Sequence, residues 1–227
     1  MMSLKACLFD LDGVIVDTAK YHYIAWRQIA HELGFEFTEA NNERLKGVSR
    51  QRSLEILLEV GGIALGSEDK VRLAEKKNAL YLQYVMKMTP EEILSGASAF
   101  LIACREAGYK TALATASRNA TVILDLLKIA PLFDVVIDGN KVSRTKPDPE
   151  VFLNCARDLH LPAQNCAVFE DAEAGIEAAL AADMLTIGIG SPSILHRADL
   201  VVPGLGSLSL EQLRTAAANK ITKTAVP

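Results

Sequence analysis

The sequence predicts an α/β protein: a doubly wound parallel sheet with an all-helical domain inserted after its first strand. Three observations predict it. Six short apolar runs lack polar alternation, as strands covered on both faces do. Helical patterns separate most of those runs. One long segment near the N-terminus carries helical periodicity and no strand signal.

The first run is "KACLFDL" (5–11). The others are "KTALAT" (110–115), "FDVVID" (133–138), "NCAVFE" (165–170), "MLTIGI" (184–189) and "ADLVV" (198–202). Helical patterns at 97–107, 119–128, 149–159 and 172–182 supply right-handed crossovers between parallel strands. Between the first and second runs, "TAKYHYIAWRQIAHELG", "SRQRSLEILLEVGG" and "SEDKVRLAEKKNALYLQYVMKM" read as helices. The expected domains are 1–17 with 91–227 for the sheet, and 18–90 for the helical insert. The tail after Asn219 is expected to fray.

Composition narrows the function. Of 227 residues half are apolar, enough for a sizeable core, and the net charge of -4 gives no support for a nucleic-acid partner. Apolar runs fall well short of the roughly 18 residues of a membrane span, so no membrane partner is expected. The N-terminus lacks the pattern of a secretory signal. The cysteines (Cys7, Cys104, Cys155, Cys166) are scattered, which suits buried reduced thiols and a cytoplasmic location. A monomer is the expected state. Residues 18–90 carry 11 Lys/Arg against 9 Asp/Glu, and the rest 13 against 19. That division suits an anionic substrate, and ordinary scatter explains it equally well. "GIGSP" (188–192) and "GLGSL" (204–208) are lone Gly-x-Gly turns, too weak for nucleotide loops.

The chemistry concentrates where strands end, the place where open parallel sheets bind ligands. "FDLDG" puts Asp10 and Asp12 on the same side of the chain just beyond the first strand. Two neighbouring carboxylates repel unless a cation or a proton lies between them, and a hard divalent ion such as magnesium suits oxygen donors. Gly13 lets the chain turn sharply after them. The same stretch also reads as an Asp-Gly turn with a helix cap at Asp17 or Thr18. "LATAS" ends the second run on Thr115 and Ser117, with Asn119 beyond, groups that bind phosphate at a helix N-terminus or simply cap it. "TKPDP" sets Lys146 before a proline, as a phosphate-neutralising cation or a surface charge. Its peptide bond to Pro147 is expected to be cis, so that the ammonium points inward from a loop. "VFEDAEAG" ends on a second carboxylate pair, Glu170 and Asp171, which could otherwise open a helix. The four endings together form a far more specific constellation than any one of them.

That order, Asp-x-Asp, Thr/Ser, Lys, Glu-Asp, resembles the haloacid dehalogenase (HAD) superfamily over nearly the whole chain. The resemblance implies a HAD-like, Rossmannoid core with a helical cap. It makes Asp10 the nucleophile that forms an aspartyl-phosphate and Asp12 the general acid/base. Magnesium would be held by Asp10, Glu170, Asp171 and the main-chain carbonyl of Asp12. Thr115, the amide of Ala116 and Lys146 would cradle the transferring phosphoryl group. Dehalogenation is open on the same fold, but the Glu170–Asp171 pair favours phosphoryl transfer.

Within the insert, "AKYHYIAW" (19–26), "LKGVSRQRSL" (45–54) and "AEKKN" (74–78) resemble the β-phosphoglucomutase family. The resemblance implies that His22 contacts Asp12 and the sugar, and that Lys46, Gly47, Val48 and Arg50 form a substrate loop. Arg50 would grip the phosphate not being transferred, Lys77 would approach the sugar, and Ser117, Arg118 and Asn119 would complete the distal phosphate site. Lysine stands in that family where this chain has Arg118, and serine where it has Thr115 and Ala172. A mutase needs a second anion site, and an arginine fork binds phosphate oxygens in pairs. The implied partners are a phosphorylated hexose and a hexose bisphosphate, with β-glucose 1-phosphate and glucose 6-phosphate interconverted. A sugar-phosphate phosphatase and a non-catalytic phospho-ligand binder are the other readings. Lys46 and Arg50 also read as a solvated helix start, and His22 with Trp26 as packing.

Overall fold

The structure is a computed structural model that describes residues 3–45 and 48–224, with the side chains of 221–224 left aside. The chain divides into two compact units, Met1–Asp17 with Pro90–Pro227, and Thr18–Thr89.

The first unit is built on a parallel sheet. Among the described residues its strands are β1 (Ala6–Phe9), β2 (Lys110–Ala114), β3 (Val135–Ile137), β4 (Cys166–Glu170), β5 (Leu185–Ile189) and β6 (Leu200–Val202). They lie in the order β3-β2-β1-β4-β5-β6, every neighbouring pair parallel. The order reverses beside β1, so the first strand ends at the topological switch point, flanked by β2 and β4. Each apolar run of the sequence holds one of these strands. The helices of this unit are α5 (Ala97–Glu106), α6 (Ala120–Leu126), α7 (Glu150–Asp158), α8 (Glu173–Ala181) and α9 (Leu210–Thr224).

Alternation along β1 separates two cores. Leu8 joins Ala112, Val168, Phe152 of α7 and Ala178 of α8 in one apolar cluster. Phe9 faces the other way, stacks on Phe169 at 4.5 Å and meets Phe100 of α5 edge-on at 6.3 Å. The four cysteines are buried free thiols.

Both edge strands are pinned by an aspartate just before them. Asp134 accepts hydrogen bonds from Thr111 N (2.8 Å) and Thr111 Oγ1 (3.3 Å). Asp199 accepts them from Thr186 N and Thr186 Oγ1, both at 2.9 Å. The carboxylates take ladder positions there, so β3 and β6 are shorter than their apolar runs. The C-terminal helix α9 continues past Asn219, where the sequence reading placed the start of the tail. It runs to Thr224, and Lys220 Nζ donates to Met184 O (2.6 Å) and Asp199 Oδ2 (2.8 Å).

The second unit consists of α1 (Ala19–Glu32), α2 (Glu39–Glu43), α3 (Arg50–Gly61) and α4 (Ser67–Val85) among its described residues. Trp26, Ile29, Phe37, Leu54, Leu57 and Leu58 form its core. Ser49 caps α3 through Arg52 N, and Gly62 ends it with φ 63°. The short α2 has no apolar periodicity, but Thr38 and Asn41 form a capping box at its start.

Candidate active site

In the sheet unit, β1 delivers Asp10. The strand's ladder continues one step past Phe9, with Asp10 N bonded to Phe169 O at 3.0 Å, so the carboxylate is fixed at the strand's end. The chain then turns on Gly13, whose φ of +73° is the left-handed conformation that favours glycine. A Cβ there would lie 2.0 Å from Asp171 Oδ2, so the turn presses directly on the second acidic pair. β4 delivers Glu170 and Asp171. Glu170 Oε2 accepts from the main-chain N–H of Asp171 (3.1 Å) and Ala172 (3.3 Å), which orients it before α8 begins. Carboxylate oxygens of Asp10, Glu170 and Asp171 lie within 4.8 Å of one another, a group able to hold a metal ion.

Lys146 enters the same cluster from the loop before α7. Its ammonium donates to Asp10 Oδ1 at 2.9 Å, to Ala114 O at 3.1 Å and to Glu170 Oε1. Lys146 and Glu170 are almost wholly buried. Burial would lower the lysine's affinity for its proton, but the Asp10 and Glu170 carboxylates outweigh it and hold its pKa above the ordinary value. Burial pushes Glu170 up to about 7, with Lys146 pulling down and Asp10 pushing up. Burial, then Glu170, Asp10 and Asp12, push Asp171 up to about 8. The cluster sets three carboxyl groups against one ammonium, and its donors are all hard oxygens. A divalent cation fits both facts. The bond between Lys146 and Pro147 is cis, as the sequence reading expected.

The end of β2 forms a tight polar turn. Thr115 Oγ1 accepts from Ser117 N (3.1 Å), and Ser117 Oγ from Asn119 N (3.3 Å). The segment after β3 buttresses it: Gly139 N donates to Ser117 O (3.1 Å) and Asn140 Nδ2 to Arg118 O (3.1 Å). Thr115 is buried and Arg118 exposed.

In the helical unit, a second polar group assembles on α1, α3 and α4. Lys77 Nζ lies 2.7 Å from His22 Nδ1 and sits over the rings of Trp26 (4.7 Å) and Tyr81 (4.8 Å). Such cation–π pairs favour a buried ammonium, and Lys77 is only 2% exposed. Burial first, then Lys77 and Arg50, hold the pKa of His22 well below its ordinary value. The imidazole is therefore neutral, with Nδ1 as an acceptor for the lysine. Arg50 begins α3 and donates to Asn78 Oδ1 at 2.8 Å.

Residues 4–183 match the haloacid dehalogenase-like hydrolase family. The chain belongs to that family. Among haloacid dehalogenase-like proteins it is 42% identical to β-phosphoglucomutase of Bacillus subtilis, over 92% of this chain and 94% of that one. It is 34% identical to a phosphorylated carbohydrates phosphatase of Thermotoga maritima, over 79% and 82%. The crystal structure of β-phosphoglucomutase from Clostridium difficile superposes with a TM-score of 0.93 at 41% identity, covering 96% of this chain and 99% of that one.

The haloacid dehalogenase-like core brings together Asp10 at the end of β1, Lys146 from the loop before α7, and Glu170 and Asp171 at the end of β4, segments far apart in sequence. Asp12 is near enough to act electrostatically on Asp171. Thr115, Ala116, Ser117, Arg118 and Asn119 form one turn beyond β2, adjoining Ala114. His22, Lys77 and Arg50 group in the helical unit. Val48 packs against the helical core, while Lys46 and Gly47 lie outside the described residues. Sequence reasoning read Trp26 as packing beside His22, and it missed Asn78, Tyr81 as a ring partner of Lys77, the brace Asn140, and Gly175. Tyr81 stands four residues after Lys77 on its helix, a spacing that could have flagged it. Gly175 carries no such signal, yet a Cβ there would lie 2.0 Å from the Glu170 carboxyl carbon.

Proposed function

We propose that this protein is a β-phosphoglucomutase, interconverting β-glucose 1-phosphate and glucose 6-phosphate through a 1,6-bisphosphate. The observation that carries the reading is the pairing of a phosphoryl-transfer cluster in one unit with a separate guanidinium, Arg50, in the other. A phosphatase needs only the first and water; a mutase must also hold a second phosphate. Similarity to β-phosphoglucomutases of two organisms, each above 40% identity across nearly the whole chain, supports the same reading.

In this reading an Asp10 carboxylate oxygen forms a bond to phosphorus as the bond from phosphorus to the donor oxygen breaks. Asp12 gives its proton to that leaving oxygen and, in the reverse sense, takes one from the attacking sugar hydroxyl. Lys146 holds positive charge beside Asp10 while negative charge builds on the transferring oxygens. Thr115 and the Ala116 amide orient the same oxygens. Asp10, Glu170, Asp171 and the Asp12 carbonyl would hold Mg2+, which supplies charge neutralisation between carboxylate and phosphate. Arg50 takes the phosphate that is not transferring, and neutral His22 with Lys77 faces the sugar. Four buried thiols outside any disulfide suit a reducing cytoplasm.

The test is a time course with β-glucose 1-phosphate, Mg2+ and a trace of glucose 1,6-bisphosphate, following glucose 6-phosphate and free phosphate together. Nearly all substrate is expected to become glucose 6-phosphate, with phosphate release slower by about two orders of magnitude or more. Phosphate released in step with substrate loss would make the enzyme a phosphatase.

A further inference from the structure

Lys146 is delivered by a segment without regular structure, the stretch from Asp138 to Pro149 between β3 and α7. A lysine stem has many rotamers, so an ammonium held on three acceptors needs a fixed backbone behind it. The brace of that backbone is Glu150, the first residue of α7. Its carboxylate accepts from Ser143 N (2.9 Å), Ser143 Oγ (2.8 Å), Arg144 N (2.8 Å) and Arg144 Nε (3.4 Å). Asp148 completes the ring, accepting from Glu150 N (3.0 Å) and pairing with Arg144 Nη1 (3.1 Å). Lys146 sits midway round the closed loop.

We propose that Glu150 is a positioning residue for Lys146: it ties Ser143 and Arg144 to the first turn of α7 and thereby aims the ammonium at Asp10 and Glu170. Glu150 touches neither carboxylate in the hydrogen bonds it makes, and acts through the loop. The main-chain and Ser143 donors hold its pKa down to about 2, so it stays ionised and acceptor-only at working pH. The kinetic consequence rests on the phosphoryl-transfer reading; the structural one does not.

The test measures both on Glu150→Ala and Glu150→Asp. Amine-selective labelling with mass spectrometry reads the accessibility of Lys146, which is 5% exposed. Lys220, anchored elsewhere in the same unit, serves as internal reference. In Glu150→Ala, labelling of Lys146 is expected to rise about tenfold with Lys220 unchanged. The mutase kcat should fall about 10- to 100-fold with KM nearly kept, since small misplacements of a charge at the reacting group cost rates of that order. Glu150→Asp, which keeps the acceptors, should recover most of both. Should Glu150→Ala fail to fold, Ser143→Ala removes one donor only and should raise Lys146 labelling about two- to fivefold. Unchanged labelling of Lys146, or equal rises at Lys146 and Lys220, would overturn the proposal. Selective labelling in a protein whose native form shows no mutase turnover would overturn the functional reading and leave the positioning role standing.

Discussion

Glycine, the residue with least chemistry, sets the tolerance of the acidic cluster. Gly175 sits in the first turn of α8 with the Glu170 carboxylate where its side chain would be; a Cβ would meet Oε1 at 2.1 Å and Oε2 at 2.3 Å. Glu170 cannot retreat easily, because Lys146 and the Asp171 and Ala172 amides hold both of its oxygens. Gly175→Ala gains up to about 1 kcal/mol of helix propensity and loses the room that carboxylate needs. The expected result is a tenfold or greater loss of Mg2+ affinity, by roughly the loss of one well-placed ligand bond, read by calorimetric titration. Native affinity in that variant would show that Glu170 has room to move. The carboxylates themselves were legible as a pattern; the glycine was not, because its reason lies in a neighbour across a turn.

Among elements, α9 is held to the sheet by chemistry that the hydrophobic pattern does not display. Asp199 receives Thr186 and Lys220 together, joining β5, β6 and α9 at one carboxylate. Each partner is partly exposed, with side-chain exposures of 18% for Lys220 and 20% for Asp199. Asp199→Asn is therefore expected to cost about 1–2 kcal/mol, the range of a charge-assisted hydrogen bond discounted for solvent. Burial alone would raise the Asp199 pKa; the Lys220 and Thr186 donors outweigh it and lower it from 3.8. The folded state thus binds that proton more weakly than the unfolded chain. The stabilisation is full above about pH 4 and is lost as pH falls through the depressed value. Urea melts should show the gap between native protein and Asp199→Asn narrowing below pH 4, and a constant gap would contradict the assignment. Strand and crossover-helix positions were legible because buried parallel strands are continuous apolar runs. The last helix was not, since beside the buried Leu213 its anchor includes a lysine bonded to a carbonyl 36 residues earlier.

Over the whole molecule, the densest acidic group among the described residues that could hold an ion is Asp10, Glu170 and Asp171, whose carboxylate oxygens lie within 4.8 Å of one another. Crowded carboxylates destabilise the metal-free fold, so a cation bound there stabilises it by mass action. At a Mg2+ concentration about 100 times Kd, the gain is about 2.7 kcal/mol, which for a chain of this length raises Tm by about 5–10 °C. Differential scanning calorimetry with and without EDTA measures it, and Glu170→Gln should abolish most of the shift. An EDTA-insensitive Tm would remove the cation from this site. Trp26, the chain's sole tryptophan, lies in the helical unit, so its fluorescence follows that unit's unfolding separately.

The fold class, the helical insert and the strand ends at Asp10, Thr115 and Glu170 (Lys146 lies in the irregular segment after β3 and at no strand end) were written locally: apolar runs, helical periodicity and short-range spacing such as Asp-x-Asp each act over a few residues. The order β3-β2-β1-β4-β5-β6 was not, because it depends on how crossovers pack on each face. Nor was the bond between Lys146 and Asp10, partners 136 residues apart. The same holds for the Glu150 brace, the closeness of Gly175 to Glu170, and the ring cage around Lys77. Each is a meeting of side chains on different segments, or across a turn. No local pattern encodes such a meeting, because only the packed chain brings the groups within hydrogen-bonding or van der Waals reach, where their charges and shapes begin to act on one another.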